Sequence, residues 1–316
     1  APMPNPDRHS VSQSAQPETV AADPPPAWPS GQRVRGGARV LSLQAVCPAR
    51  AFIEARLRGM ELPQPSRPLD PATRGNLLHR LLERLYGHEE CRHGLALVPR
   101  SRLSDLFSGL VENVLDDWLP RRDVFLRRLR ELERERLWSQ LLLLAARETE
   151  WGEFTAETET PRSLTIGSLA LALRLDRIDT FADGAQLVID YKTGSFKPKS
   201  WRSQRLEDCQ LPLYALRTGC RGVAVLQFTP STVVVYGVGD PALGTGCLTT
   251  PGKFFAEPEL DWNGVVARWK GQLELLADEF AAGDFRIDPA KPALASGQFA
   301  VLTGVYATEA TEEDAE

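Results

Sequence analysis

Asp190 and Lys192 are two residues apart in the run 169–194, LALALRLDRIDTFADGAQLVIDYKTG, and that spacing could do chemistry. On a strand, residues two apart project from one face, which leaves Leu187, Ile189 and Tyr191 on the other. A carboxylate beside an ammonium, with another carboxylate brought alongside by a partner strand, can hold a divalent cation and stabilise an attacking water. That is hydrolytic chemistry. The same run supplies the partner strand, because alternating apolar residues on both sides meet Asp183-Gly184, a strong short-range hairpin signal. In isolation, D-x-K reads as an ion pair on a solvated strand face.

The length of the turn decides which acid joins the pair. A two-residue loop at Asp183 and Gly184 pairs Ala182 with Ala185 and carries Asp179 to the face of Asp190. A three-residue loop through Ala185, or one bulge, carries Asp176 there instead. Leu169, Leu171, Leu173 and Leu175 form one apolar face, with Arg174 and Asp176 on the other, and Ile178 and Phe181 then break the alternation as a bulge near Arg177 would. This pattern favours Asp176, with Asp179 as a helper or structural acid.

The wording DRID followed by VIDYKTG resembles the core of the PD-(D/E)XK nucleases, and the RecB-like branch in particular. The resemblance implies that Asp176 and Asp190 are metal ligands, that the Tyr191 carbonyl is another, and that Lys192 is the catalytic lysine. It extends to G-x-x-x-H, here Gly75 and His79, which implies a further metal ligand at His79. It also extends to Q-x-x-x-Y, here Gln210 and Tyr214, which flank the site and contact DNA in that branch. Gln210 and Tyr214 are i and i+4 and share a helix face. A glutamate before the hairpin is common in the branch, and Glu150, Glu157 and Glu159 compete for it, with Glu157 the candidate extra acid.

CPxxF at Cys47 resembles the AddB-like group, in which this cysteine belongs to an iron-sulfur cluster. Ala295, Gln298 and Gly304 stand where the other three sulfurs should be, and one thiolate cannot hold a cluster that needs four. No cluster is expected, and Cys47 is an orphaned buried thiol.

The elements that must position these residues follow from periodicity. Asp70 and Pro71 open a helix whose buried stripe is Leu77, Leu78, Leu81, Leu82 and Leu85, with His79 off its centre. Leu103 to Leu119 repeats at helical spacing and reads as a core helix, Trp118 included, and a second helix runs to about Arg147. A short helix opens after Ser42 and breaks at Cys47-Pro48. The first strand spans 150–161, VAVLQF and TVVVYGV are two more, and Trp262 to Phe280 is a closing amphipathic helix.

The expected fold is α/β: a restriction-endonuclease-like core with a central mixed sheet flanked by helices and an N-terminal helical part. Residues 1–37 read as a Pro-, Ser- and Ala-rich linker and 38–305 as the nuclease domain, with the helical part at 42–147 and the sheet core at 150–290. The acidic tail is 306–316.

The 316 residues are 42% hydrophobic and 25% charged, an ordinary globular composition. No signal peptide or membrane span is visible, so the expected place is the cytoplasm. A net charge of −5 argues against nonspecific coating of nucleic acid. Local basic runs remain at Arg121, Arg122, Arg127, Arg128 and Arg130, and at Lys197, Lys199, Arg202 and Arg205. Arg202 is the site-flanking candidate.

The resemblance implies a Mg²⁺- or Mn²⁺-dependent nuclease, most simply an exonuclease, acting on single-stranded DNA or DNA ends in repair or recombination. It implies a helicase domain or subunit as partner, the chain being the C-terminal part of a helicase-nuclease. No G-x-x-x-x-G-K-[ST] is present to supply an ATPase. The alternatives are a catalytically silent scaffold that binds DNA ends, and a metal hydrolase acting on small phosphodiesters.

Overall fold

The structure, a computed structural model, describes residues 25–60, 69–119, 124–288 and 299–303. The predicted tail and the first 24 residues of the predicted linker lie outside them, as do Ala295, Gln298 and Gly304. Within the rest of that linker, strand β1 (Arg33–Val34) pairs parallel with the strand Leu169–Phe181, and Trp28 packs on Phe280. The ordered core therefore starts before residue 38.

A six-stranded mixed sheet divides two helical layers. It contains β1, β2 (Phe154–Ile166), β3 (Leu169–Phe181), β4 (Gln186–Lys192), β5 (Gly222–Phe228) and β6 (Val233–Gly239). One layer holds α1 (Ala38–Val46), α2 (Pro48–Ala51) with a π turn at Phe52–Arg56, α6 (Gln210–Thr218) and α8 (Trp262–Ala282). The other holds α3 (Pro71–Gly87), α4 (Arg100–Trp118) and α5 (Val124–Glu148). Short helices α7 (Pro251–Phe255) and α9 (Ala300–Thr303) complete the chain. No described helix is long and apolar enough to cross a membrane.

Burial on both faces explains the composition of the central strands. Leu187, Ile189 and Tyr191 enter one core, while Val188, Val223 and Val225 enter the other, so β4 and β5 read as continuous apolar runs. The same condition removes the expected bulge. β2 and β3 stay in step from Thr158 opposite Arg177 to Thr160 opposite Leu175, with no inserted residue. The alternation breaks because Arg177 and Asp179 are buried against the α3 and α5 side while Ile178 packs in the opposite core.

The hairpin also departs from the two-residue turn. Phe181 pairs with Ala185, with the Phe181 N–H donating to the Ala185 carbonyl at 2.9 Å, so the loop is Ala182, Asp183 and Gly184. Gly184 takes φ +80°, and the Asp183 carboxylate accepts from Ala185 N at 2.9 Å. This three-residue loop starts one position earlier than a loop through Ala185, yet it has the same consequence: the even-numbered Asp176 falls in line with Asp190.

Helix chemistry matches the expectations closely. Asp70 caps α3 through Thr73 N at 2.6 Å with Pro71 in the first position. Pro212 is tolerated in α6 because it occupies the first turn, where backbone N–H groups have no partner within the helix. α1 begins five residues earlier than expected and breaks at Cys47-Pro48 as expected.

Behind the hairpin lies a buried ionic cluster. Arg177 forks onto Asp179 at 2.5 and 2.7 Å, reaches Glu148 at 2.8 Å, and lies over the rings of Tyr86 at 3.9 Å and Phe154 at 4.6 Å. Glu148 also accepts from Tyr86 and from Leu95 N. Removing the one cation strands two buried carboxylates, so Arg177→Met should lower stability by about 3–5 kcal/mol. Urea unfolding at pH 7 checks this, and the deficit should shrink in acid, where the stranded carboxylates take up protons.

Candidate active site

The site occupies the place where the sheet comes apart. β2 covers one edge of β3 along its length, whereas the other edge is shared by β1 at Ala170–Leu171 and by β4 from Arg177 to Thr180. Between these two partners no strand among the described residues pairs with the edge of β3, and Asp176 sits there. Its carboxylate takes the place of the missing ladder partner, accepting from Tyr191 N at 3.1 Å.

Both helical layers reach into the gap. From α3, His79 places Nδ1 3.3 Å from Asp176 Oδ2 and Nε2 2.9 Å from the Tyr191 carbonyl. Gly75, one turn earlier, lets the helix approach so closely that an added Cβ would stand 3.3 Å from the Thr193 hydroxyl. From the opposite layer, Gln210 accepts from Lys192 Nζ at 3.2 Å and donates to the Tyr214 hydroxyl at 3.3 Å, which in turn donates to the Arg174 carbonyl at 2.6 Å. Lys192 Nζ lies 2.9 Å from Asp190 Oδ2.

The structure therefore brings together His79, Asp176, Asp190, Tyr191, Lys192, Gln210, Tyr214 and Gly75. It separates three other candidates from them. Asp179 is fully buried in the Arg177 cluster, with burial pushing its carboxyl up to about 6 against the opposing pull of Arg177. Glu157 is exposed on β2 opposite Ile178. Arg202 donates to the Phe254 carbonyl at 2.9 Å and stacks on that ring. Arg205 ties α1 to α8 through Gln44, Ala45 and Glu279, so the second basic run is in part a structural clamp. Cys47 is buried with Ala49 and Ile287.

Electrostatics make the centre dependent on countercharge. Burial, followed by the charge of Asp176, pushes the Asp190 carboxyl up to about 7 despite Lys192. Burial also acts on Asp176, but His79 and the Tyr191 N–H outweigh it and hold that carboxyl below its usual range. Burial likewise opposes charge on His79 and Lys192. Asp176 overrides it for the histidine and Asp190 for the lysine, so both groups are raised.

These donors fit a hard divalent cation. Asp190 is 2% exposed, and among the described residues its Oδ1 has no hydrogen-bond partner. A buried orphan carboxylate oxygen beside a second carboxylate, an imidazole and a strand carbonyl that faces the imidazole is an oxygen-rich donor set suited to Mg²⁺ or Mn²⁺. Among the described residues no three His, Cys, Asp or Glu groups already stand in metal-binding geometry. His79 turns its two nitrogens on Asp176 and Tyr191.

Sequence reasoning missed Glu148 and Tyr86, whose only sign was an arginine inside an apolar strand. It also placed Trp118 in the core, whereas that ring is 43% exposed and lines a cleft of 610 Å³ together with His79, Asp176 and Arg174.

A family model described as the PD-(D/E)XK nuclease superfamily matches residues 38–293. Among solved structures, the crystal structure of SSO0001 is similar at 20% identity, covering 63% of this chain and 84% of its own, with a TM-score of 0.23. No curated protein matches the chain.

The raised Asp190 carboxyl makes stability depend on pH in a defined direction. Between its unfolded pKa near 4 and its folded value of about 7, the folded state holds more protons, so metal-free stability falls as pH rises through that window. Asp190→Asn removes the penalty. Thermal melts in EDTA should show the variant near native stability at pH 4 and more stable by on the order of 2–4 kcal/mol above pH 7. Equal pH profiles for the two proteins would show that Asp190 is ionised in the folded state.

Proposed function

The chain belongs to the PD-(D/E)XK nuclease superfamily, and from that premise we propose that it is a divalent-metal-dependent deoxyribonuclease whose chemistry takes place in the gap between β3 and β4. The observation that carries this reading is the orphan Oδ1 of buried Asp190, in line with Asp176 and two residues from a fixed ammonium. Asp176, Asp190, His79 and the Tyr191 carbonyl would hold Mg²⁺ or Mn²⁺. When bound, such an ion supplies Lewis-acid stabilisation of charge on the phosphate and lowers the pKa of water.

The chain's own groups do the rest. Lys192 keeps its proton at neutral pH, because Asp190 outweighs the effect of burial, so it acts as a fixed positive donor and not as a base. Asp190 and Gln210 hold its Nζ from two sides, orienting it toward the water and the developing negative charge. Tyr214 fixes Gln210 and ties α6 to β3 through the Arg174 carbonyl. Release of the His79 proton and the Asp190 proton accompanies metal binding, so affinity for metal should weaken in acid.

A RecB-like exonuclease domain that works beside a helicase in DNA repair is the finer reading. It is supported by the four motif pieces, Gly75/His79, Asp176, Asp190/Lys192 and Gln210/Tyr214, meeting around one point from opposite sides of the sheet.

The test is cleavage of linear single- and double-stranded DNA with Mg²⁺ or Mn²⁺. Native protein should cut. Lys192→Ala and Asp176→Asn should lose at least a hundredfold in rate, EDTA should abolish cutting, and Asp179→Asn, where it folds, should retain metal binding and cleavage. Mononucleotide products released from ends support exonuclease action. DNA that is bound and never cut under any metal would replace the nuclease by a scaffold that holds DNA ends.

A further inference from the structure

The chain has seven tryptophans, and Trp118 is the one among them counted with the exposed large hydrophobic residues. Four of the others, Trp151, Trp201, Trp262 and Trp269, are buried, and Trp28 and Trp138 are partly so. Trp118 closes α4 at its C-terminal end, on the wall of the cleft that opens onto His79 and Asp176. Among the described residues no aromatic ring or guanidinium stacks on it. What sets this indole apart from other exposed apolar side chains is its place, on the wall of the cleft that holds His79 and Asp176, where its open face is available to a ligand.

The neighbours define that ligand. Arg80 and Arg174 line the same cleft, and Arg84 lies one turn along α3, paired with Asp117 at 2.6 Å. Arg80 and Arg174 reach Glu83 at 2.5 and 3.8 Å, and Glu83, Asp117 and Asp176 line the cleft with them, so the arginines stand beside the indole with their charge balanced by carboxylates. An open aromatic face interleaved with arginines is the arrangement by which proteins hold single-stranded nucleic acid: the arginines follow the phosphates and a base stacks on the ring. A base inside a duplex has both faces covered by its neighbours, so it has none to offer Trp118.

We propose that Trp118 is a stacking platform for an unpaired nucleobase next to the phosphate that reacts at the Asp176–Asp190 site, and that it gives the site its preference for a single strand or a frayed end. This rests on the nuclease reading for the location of the phosphate, but the stacking can be measured without cleavage.

The experiment is fluorescence anisotropy in EDTA, where nothing is cut, with labelled oligo-dT, the same length of duplex, and a strand of equal phosphate count carrying an abasic tract. Native protein should bind oligo-dT about tenfold or more tightly than the abasic strand. Trp118→Ala should lose that difference while keeping its affinity for the abasic strand and the duplex, and Trp118→Phe should recover most of it. Melting curves confirm that the variants fold. Three results overturn the proposal: no binding of oligo-dT by the native protein, equal affinity of native and Trp118→Ala for oligo-dT, or a uniform loss across all three probes. Cleavage with Mn²⁺ is read separately. Native protein that shows the stacking pattern but never cuts sinks the nuclease reading alone, and native protein that cuts while Trp118→Ala binds all three probes as native does sinks the stacking proposal alone.

Discussion

Two carboxylates buried side by side cannot both be ionised without positive charge close at hand, and the architecture around Asp176 and Asp190 is a response to that constraint. The available sources of positive charge come from two elements, β4 and α3. Lys192 is two residues along β4, His79 comes from α3, and the Tyr191 N–H is released by the parting of the strands. Their joint effect is unequal, since Asp176 is held ionised while Asp190 is pushed toward its protonated form. The remaining deficit is what a divalent cation would fill.

The parted sheet makes this arrangement possible. A fully paired β3 would spend its edge on ladder bonds and leave no room for a histidine from one layer and a glutamine from the other. By dividing that edge between β1 and β4, the fold opens a short unpaired stretch and fills it with side-chain chemistry. Strain and solvent are kept out by what lies behind: the Arg177 cluster joins β3 to α3 and α5, and aromatic packing of Tyr191 against His79 and Phe228 seats β4.

Much of this was legible in the sequence because it is encoded by local period. Asp190 and Lys192 share a face whatever the fold, and Gln210 and Tyr214 share one on any helix. Asp176 and not Asp179 falls in line with Asp190, through a three-residue loop one position earlier than expected and without a bulge. Alternation along β3 fails because both faces are buried, and single-sequence periodicity cannot tell that from an inserted residue. Arg202 looked close to the site because it follows the D-x-K strand, but a loop of ten residues gives no direction, and Phe254 claims it. Trp118 fits the helical stripe of α4 by spacing alone. Its exposure follows from where the helix ends relative to α3, and no residue of α4 announces that.

Tyr191 spends both of its peptide groups at the centre, the N–H on Asp176 and the C=O on His79. Those contacts belong to the main chain, so replacing the tyrosine side chain leaves the groups that make them in place. What moves them is a slip of β4 against β5, and the parallel ladder from Leu187 opposite Gly222 to Lys192 opposite Gln227 leaves no room for one. A slip of one residue would turn Asp190 and Lys192 to the wrong face together. Assembly of the centre is therefore all-or-nothing: a chain with the correct strand register has every group of β4 in place, and a chain without it has none.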